Sequence, residues 1–103
     1  MTYEEATDLS ITHAVHGDGG KYTAVITGED ATGYLEWEPG KADNVRIATH
    51  TVVPRPIGGR SVAARLVDRL IADAREHGFK VEPQCWYVAK KFDENPGWAD
   101  LRA

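Results

Sequence analysis

Residues 58–77 carry the pattern that most restricts what this chain can fold into. Val62, Leu66 and Leu70 recur every four residues, and a second set of apolar residues completes the same stripe: Ala63, Val67, Ile71 and Ala74. Charged residues occupy the opposite side, and Gly78 follows where a left-handed residue commonly ends a helix. The pattern predicts one long amphipathic helix, whose apolar stripe needs a surface to pack against.

The first half of the chain predicts a β-sheet as that surface, because it alternates strand-forming segments with turn-forming residues. Four short segments rich in Val, Ile, Thr and Tyr are separated by turn-forming residues: 10–16, 21–27, 33–38 and 44–53. The short gaps favour an antiparallel meander. After the long helix, residues 79–84 predict a fifth strand and residues 85–94 a short second helix. The expected fold is α/β (α+β), with helices on a mixed, mostly antiparallel sheet.

Length and charge narrow the class of protein. The chain has 103 residues and a net charge of −4, which predicts a single domain over residues 1–103 and argues against broad duplex binding. A lone cysteine excludes an internal disulfide, and no Cys/His cluster indicates a metal site. No apolar run approaches the roughly 20 residues that span a bilayer, and the acidic start is unlike a signal peptide. We expect a cytoplasmic protein without a metal, nucleic-acid or membrane partner.

A glycine-containing junction joins the fourth predicted strand to the long helix. Gly58 and Gly59 permit a tight turn and the close approach of a ligand to the backbone. The first turn of the helix offers unpaired N–H groups that attract anions, and Arg60 adds a positive charge. The junction therefore predicts a phosphate-binding site. The alternative interpretation is an ordinary loop before an ordinary helix.

Three motifs in the same order resemble a known family. His50-Thr51-Val52-Val53-Pro54 ends a strand, Gly58-Gly59-Arg60-Ser61-Val62-Ala63 follows it, and Cys85-Trp86-Tyr87-Val88 leads on to Asn95-Pro96. Over residues 21–101 the chain is similar to the GNAT acetyltransferase superfamily, and more narrowly to its minimal GNAT-like group. The resemblance implies a minimal GNAT-like fold, acetyl-CoA as the cosubstrate, and transfer of the acetyl group to an amine acceptor whose identity stays open.

The resemblance also implies where acetyl-CoA would bind. In the family, the backbone of the fourth strand pairs with the pantetheine amides, which here assigns that role to Val52 and Val53. The glycine loop holds the CoA pyrophosphate, and the matching positions here are Gly58, Gly59, Arg60, Ser61, Val62 and Ala63.

The sequence departs from the family pattern at several places. Gly58 stands where the motif has Arg or Gln, and Ser61 replaces its central glycine. The tyrosine that protonates the leaving thiolate in larger relatives falls on Phe92 or Asp93. The helices that wall the acceptor site in larger relatives are missing as well, which predicts an open, shallow acceptor pocket. The missing tyrosine and the departures at Gly58 and Ser61 favour an alternative function, a non-catalytic CoA-binding or sensing module.

Two residues are the candidates for catalysis. His50 ends a strand near the expected thioester and is a plausible base, with an unperturbed pKa near 6.5; the alternative is a packed strand histidine. Cys85 lies at a strand-to-helix junction, where a lowered pKa favours a nucleophile or a contact to the CoA sulfur; the alternative is a small buried hydrophobe.

Other polar and aromatic residues have weaker claims. Glu36 and Glu38 are candidate bases or simply a solvated strand face. Lys90 and Lys91 are candidates for contacting the adenosine phosphate or a solvated helix face. The tryptophans are expected in the core or at its rim: Trp37, Trp86 and Trp98. The remaining histidines are expected at the surface: His13, His16 and His77.

Overall fold

The computed structural model describes residues 9–59 and 61–103, so Arg60 and the first eight residues lie outside the described chain. The described residues form five strands and two α-helices, which are β1 (Leu9–His16), β2 (Gly19–Ile26), β3 (Thr32–Pro39), β4 (Val45–Val52), α1 (Val62–His77), β5 (Lys80–Pro83) and α2 (Trp86–Glu94). Short 3₁₀ helices cover Arg55–Ile57 and Pro96–Leu101. None of the described helices is long and apolar enough to span a membrane.

The five strands form one sheet in chain order. β1 to β4 are antiparallel neighbours, while β5 lies parallel to β4. A parallel pair needs a crossover, and α1 supplies it across one face of the sheet. The predicted mixed, mostly antiparallel sheet of five strands with two helices is confirmed. The helix begins four residues later than predicted, because Gly58 and Gly59 belong to the turn that precedes it.

The core lies between α1 and the sheet. Leu66 and Leu70 are fully buried and Val62 nearly so, which confirms the predicted stripe. The sheet contributes alternate residues of β2 and β3 to the same core, among them Tyr22, Leu35 and Trp37. Gly78 ends the helix with a φ of 77°, as the pattern predicted. The residues between these buried positions lie on the opposite, open face of the sheet.

One polar cluster stands at the rim of this core. The Tyr22 hydroxyl donates to Asp73 Oδ2 at 2.8 Å, and the Arg69 Nε donates to Asp73 Oδ1 at 3.3 Å. His13 stacks on Tyr22 with ring centroids 4.2 Å apart and accepts a hydrogen bond from Trp37 Nε1 at 3.0 Å. The prediction that His13 is a surface residue is therefore wrong, since its ring is wedged between two aromatic residues. His16 and His77 are exposed, as expected.

The environment of His13 predicts a pH dependence of stability. Burial and the nearby Arg46 lower the pKa of His13 below 6.5. The His13 imidazole therefore binds a proton more tightly in the unfolded chain than in the folded chain. The stability that neutral His13 contributes is fully present above pH 6.5 and is lost as the pH falls through the lower pKa of the folded state. In urea melts, His13→Gln should reduce this fall, because glutamine can accept the Trp37 hydrogen bond without titrating. The exposed control His16→Gln should keep the parental dependence; equal pH dependence in His13→Gln would contradict the assignment.

Candidate functional site

The two strands that frame the candidate site separate partway along. β4 pairs with β5 only from Val45 to Ala48, and the backbone N–H groups of Gln84 and Cys85 then both donate to the Ala48 carbonyl, at 3.1 and 2.9 Å. β4 continues to Val52 with β3 alone beside it in the described structure. The gap between the end of β4 and the chain leaving β5, here called the fork, exposes one backbone edge of residues 49–52.

A β-bulge at Thr49 accompanies the fork. Glu36 pairs with His50 and Trp37 with Ala48, so Thr49 is an extra residue in β4. Its hydroxyl donates to the Glu36 carbonyl at 3.2 Å, which fixes the bulge. A bulge bends a strand and increases its twist. The end of β4 is therefore turned relative to its beginning, at the point where β5 leaves it.

Cys85 lies inside the fork, at the N-cap of α2. It is partly buried, and its Sγ is 3.6 Å from Thr51 Oγ1, a hydrogen-bond distance for sulfur. Burial raises the pKa of the Cys85 thiol, but hydrogen bonds from the backbone of Val88 and Tyr87 and from Thr51 outweigh burial and lower the pKa overall. This direction is the one expected for a thiol at a helix N-terminus, where the thiolate is stabilised. Sequence reasoning missed Thr51, although the residue stands within the His-Thr motif.

His50 lies on the other side of β4. It pairs with Glu36 on the open face, and its Nδ1 is 3.6 Å from Glu36 Oε1. Thr51 pairs with the buried Leu35 and so belongs to the face that α1 covers. The two predicted catalytic residues therefore do not form a pair. They flank the same stretch of β4 from opposite faces, Cys85 beside Thr51 and His50 beside Glu36.

The end of β4 lies close to the start of α1, because glycine occupies the β3 position between them. A Cβ on Gly33 would lie 3.2 Å from Val62 Cγ1 and 3.3 Å from the Val52 carbonyl oxygen. The absence of a side chain there lets Val52 and Val53 approach the first turn of the helix. Val62 itself is buried, while Ala63 is half-buried and Gly58 and Gly59 are exposed.

The charges around this loop favour an anion. Residues 52–67 include three arginines, Arg55, Arg60 and Arg65, and no acidic residue. The first turn of α1 likewise contains no acidic side chain. Arg60 lies outside the described residues, so its role stays a prediction. The free N–H groups of the helix and the flanking arginines act in the same direction, toward binding of a phosphate.

Ser61 has an unusual backbone at the start of α1. Its φ and ψ are 60° and 24°, the left-handed region, and its hydroxyl makes no capping hydrogen bond. Gly58, by contrast, is extended with a φ of −67°. The position where this chain lacks the family's central glycine is thus one whose conformation favours glycine.

Replacing Ser61 with glycine should therefore stabilise the protein. We expect Ser61→Gly to raise the free energy of unfolding by about 0.5–1 kcal/mol, because relief of left-handed strain exceeds the greater freedom of glycine in the unfolded chain. Urea denaturation measures this change in the free energy of unfolding, provided that the m-value stays the same. Ser10→Gly, in the extended backbone of β1, is the matched control and should destabilise. Equal destabilisation by the two substitutions would show that Ser61 is unstrained.

The other residues considered for the site form ion pairs or packing contacts outside the fork. Lys90 and Lys91 both lie within ion-pair distance of Glu94, at 3.9 and 3.3 Å, which favours their interpretation as a solvated helix face. At the positions of the family's tyrosine, Phe92 is buried and Asp93 pairs with Arg102 at 3.0 Å. The prediction of a core or rim position holds for Trp37, which is buried, and for Trp98, which packs against Phe92; it is wrong for Trp86, which is 74% exposed.

Comparison with known proteins gives one family match that covers most of the chain. A family model described as GCN5-related N-acetyl-transferase matches residues 21–101. The matched region includes the fork, the glycine loop, Cys85 and both α-helices. Comparison with curated proteins found no match.

Proposed function

Because this chain belongs to the GCN5-related N-acetyltransferase family, we propose that it binds acetyl-CoA in the fork and transfers the acetyl group to an amine. The observation that carries this proposal is the separation of β4 from β5 after Ala48, which leaves a free backbone edge beside a thiol. The backbone of Val52 and Val53 pairs with the pantetheine amides. Gly58, Gly59, Arg60, Ser61, Val62 and Ala63 hold the pyrophosphate.

The proposed reaction needs a polarised thioester carbonyl, a base for the acceptor ammonium and a proton for the leaving thiolate. A backbone N–H at the end of β4 polarises the thioester carbonyl. His50 accepts a proton from the acceptor ammonium, and the nearby Glu36 carboxylate stabilises the imidazolium that forms. The amine nitrogen then attacks the carbonyl carbon, the carbon–sulfur bond breaks, and the leaving CoA thiolate takes up the second proton that the attacking nitrogen loses.

Cys85 has one of two roles in this scheme. As a nucleophile, its thiolate attacks the thioester and CoA leaves, and the acceptor amine then attacks the acetyl-cysteine and releases the Cys85 thiolate. As a lining residue, it only contacts the CoA sulfur. The lowered pKa of the Cys85 thiol and its position in the fork support the first role.

A second candidate function is a non-catalytic CoA-binding or sensing module. Two observations favour it, the burial of Phe92 where the family has its acid and the strained Ser61 in the glycine loop. Incubation with acetyl-CoA and a panel of amines separates the candidates. Release of the CoA thiol together with acetylated amine supports the transferase, and binding of CoA without release at any amine supports the module.

Reversing the charge at Arg60 tests the placement of the pyrophosphate. We expect Arg60→Glu to weaken acetyl-CoA binding by about 1–3 kcal/mol, the range of a charge-assisted hydrogen bond, when measured by calorimetry. Lys41→Glu makes the same charge change at an exposed turn position and should leave the affinity near that of the parent. Equal affinity in Arg60→Glu and Lys41→Glu would remove Arg60 from the site.

A further inference from the structure

A cavity on the sheet has no role in acetyl-CoA binding as proposed. Its volume is about 390 Å³, and its wall comes from the first four strands, with these lining residues: His16, Gly19, Gly20, Lys21, Glu36, Trp37, Glu38 and Thr49. Glycine is required in its wall at Gly19, because a Cβ there would lie 2.5 Å from the Trp37 carbonyl oxygen. The size is that of small-ligand sites.

The cavity adjoins the fork from the open face. Glu36 and Glu38 lie on that face, because they alternate with the buried Leu35 and Trp37. Thr49 in its wall is followed directly by His50 and then by Thr51, the contact of Cys85. At about 3.4 Å per residue, Thr49 and Thr51 are about 7 Å apart along the strand. Only a short stretch of β4 thus separates a molecule in the cavity from an acetyl group in the fork.

The charges of the cavity favour a cation. The ammonium of Lys21 lies 5.0 Å over the Tyr34 ring, and no cation of the described chain lies within ion-pair distance of Glu38. Glu36 Oε1 lies 3.6 Å from His50 Nδ1, and Lys21 is its cross-strand partner on β2, so the cavity wall carries two carboxylates and one ammonium. The two carboxylates are two residues apart on β3, about 7 Å along the strand. A ligand with two positive charges at a similar separation pairs with both.

We propose that this cavity is the acceptor site and that the acceptor is a short aliphatic amine bearing a second positive charge. The reacting amine binds at Glu36 beside His50, and the second charge pairs with Glu38. This inference rests on the proposed acetyltransferase function. It assigns to Glu38 a role in choosing the acceptor and none in binding acetyl-CoA.

The test is a titration of isotope-labelled protein loaded with CoA, followed by amide shifts. The probes are 1,4-diaminobutane, n-butylamine and 1,4-butanediol, which carry two, one and no positive charges. We expect the diamine to shift the amides of Gly19, Gly20, Glu36 and Thr49 and to bind more tightly than the monoamine, and the diol not to bind. Glu38→Gln should raise the Kd of the diamine about three- to fivefold, the scale of one exposed ion pair, and leave that of the monoamine unchanged.

Controls keep this result distinct from the proposed function. Glu76→Gln removes the same charge on the exposed side of α1 and should leave the Kd of the diamine unchanged. Diamine shifts away from the cavity, or equal effects of Glu38→Gln and Glu76→Gln, overturn the acceptor assignment. Acetyl-CoA is titrated separately into each variant. If acetyl-CoA does not bind the parent, the proposed function and the acceptor assignment both fail. If acetyl-CoA binds normally but the diamine does not shift the cavity amides, the acceptor assignment alone fails.

Discussion

Replacing Cys85 with alanine should abolish any acetyl adduct on the protein and lower the rate of acetyl transfer at least about a hundredfold, the usual effect of losing a group that acts on the reacting atoms. The reason is its position, since the thiol lies in the fork within 3.6 Å of Thr51 and has a lowered pKa. Acetyl-CoA should still bind, because the backbone edge and the glycine loop are untouched. Intact mass, turnover and calorimetry measure the three quantities.

Thr51→Val is the companion variant for this prediction. It keeps the shape of the side chain and removes the hydroxyl that helps lower the pKa of the thiol, so it should slow transfer less than Cys85→Ala does. If Cys85→Ala turns over as fast as the parent, Cys85 only lines the site and is not a nucleophile. Slow reaction of the parent with a thiol reagent, unaffected by CoA, would remove Cys85 from the site altogether.

Truncating Leu66 should have the largest effect on stability. Leu66 has no solvent exposure and faces the sheet from the middle of α1. Leu66→Ala leaves a cavity in the core and should cost about 2–5 kcal/mol of unfolding free energy, a large share of the stability of a small domain. Asp68→Ala, on the exposed side of the same helix, should change it by less than about 0.5 kcal/mol. If the unfolding curve of Leu66→Ala coincides with that of the parent, α1 packs against the sheet by another face.

The elements of the fold were predictable because their signals are local. The period of Val62, Leu66 and Leu70 and the glycine after His77 lie within one stretch of chain, and the structure has the helix they predict. His13 shows the opposite case. Its exposure depends on Trp37, which is 24 residues away and two strands across the sheet, and no local pattern reports such a contact.

The site was predictable in part for the same reason. The glycine loop and Cys85 belong to short motifs, whereas the arrangement of Cys85 and His50 depends on strand register. The bulge at Thr49 shifts the pairing of β4 with β3, and the end of β5 is set by where its pairing with Ala48 stops. Neither feature has a sequence signature of its own. The cavity beside Glu38 likewise results from residues contributed by four strands.

The most direct test of the central claim is to follow the backbone amides of the labelled protein during titration with acetyl-CoA. If acetyl-CoA binds in the fork and on the glycine loop, the shifts should be centred on residues 52–64, with further changes at Thr51 and Cys85. Shifts confined to β1 and β2, or no shifts at millimolar acetyl-CoA, would contradict the claim.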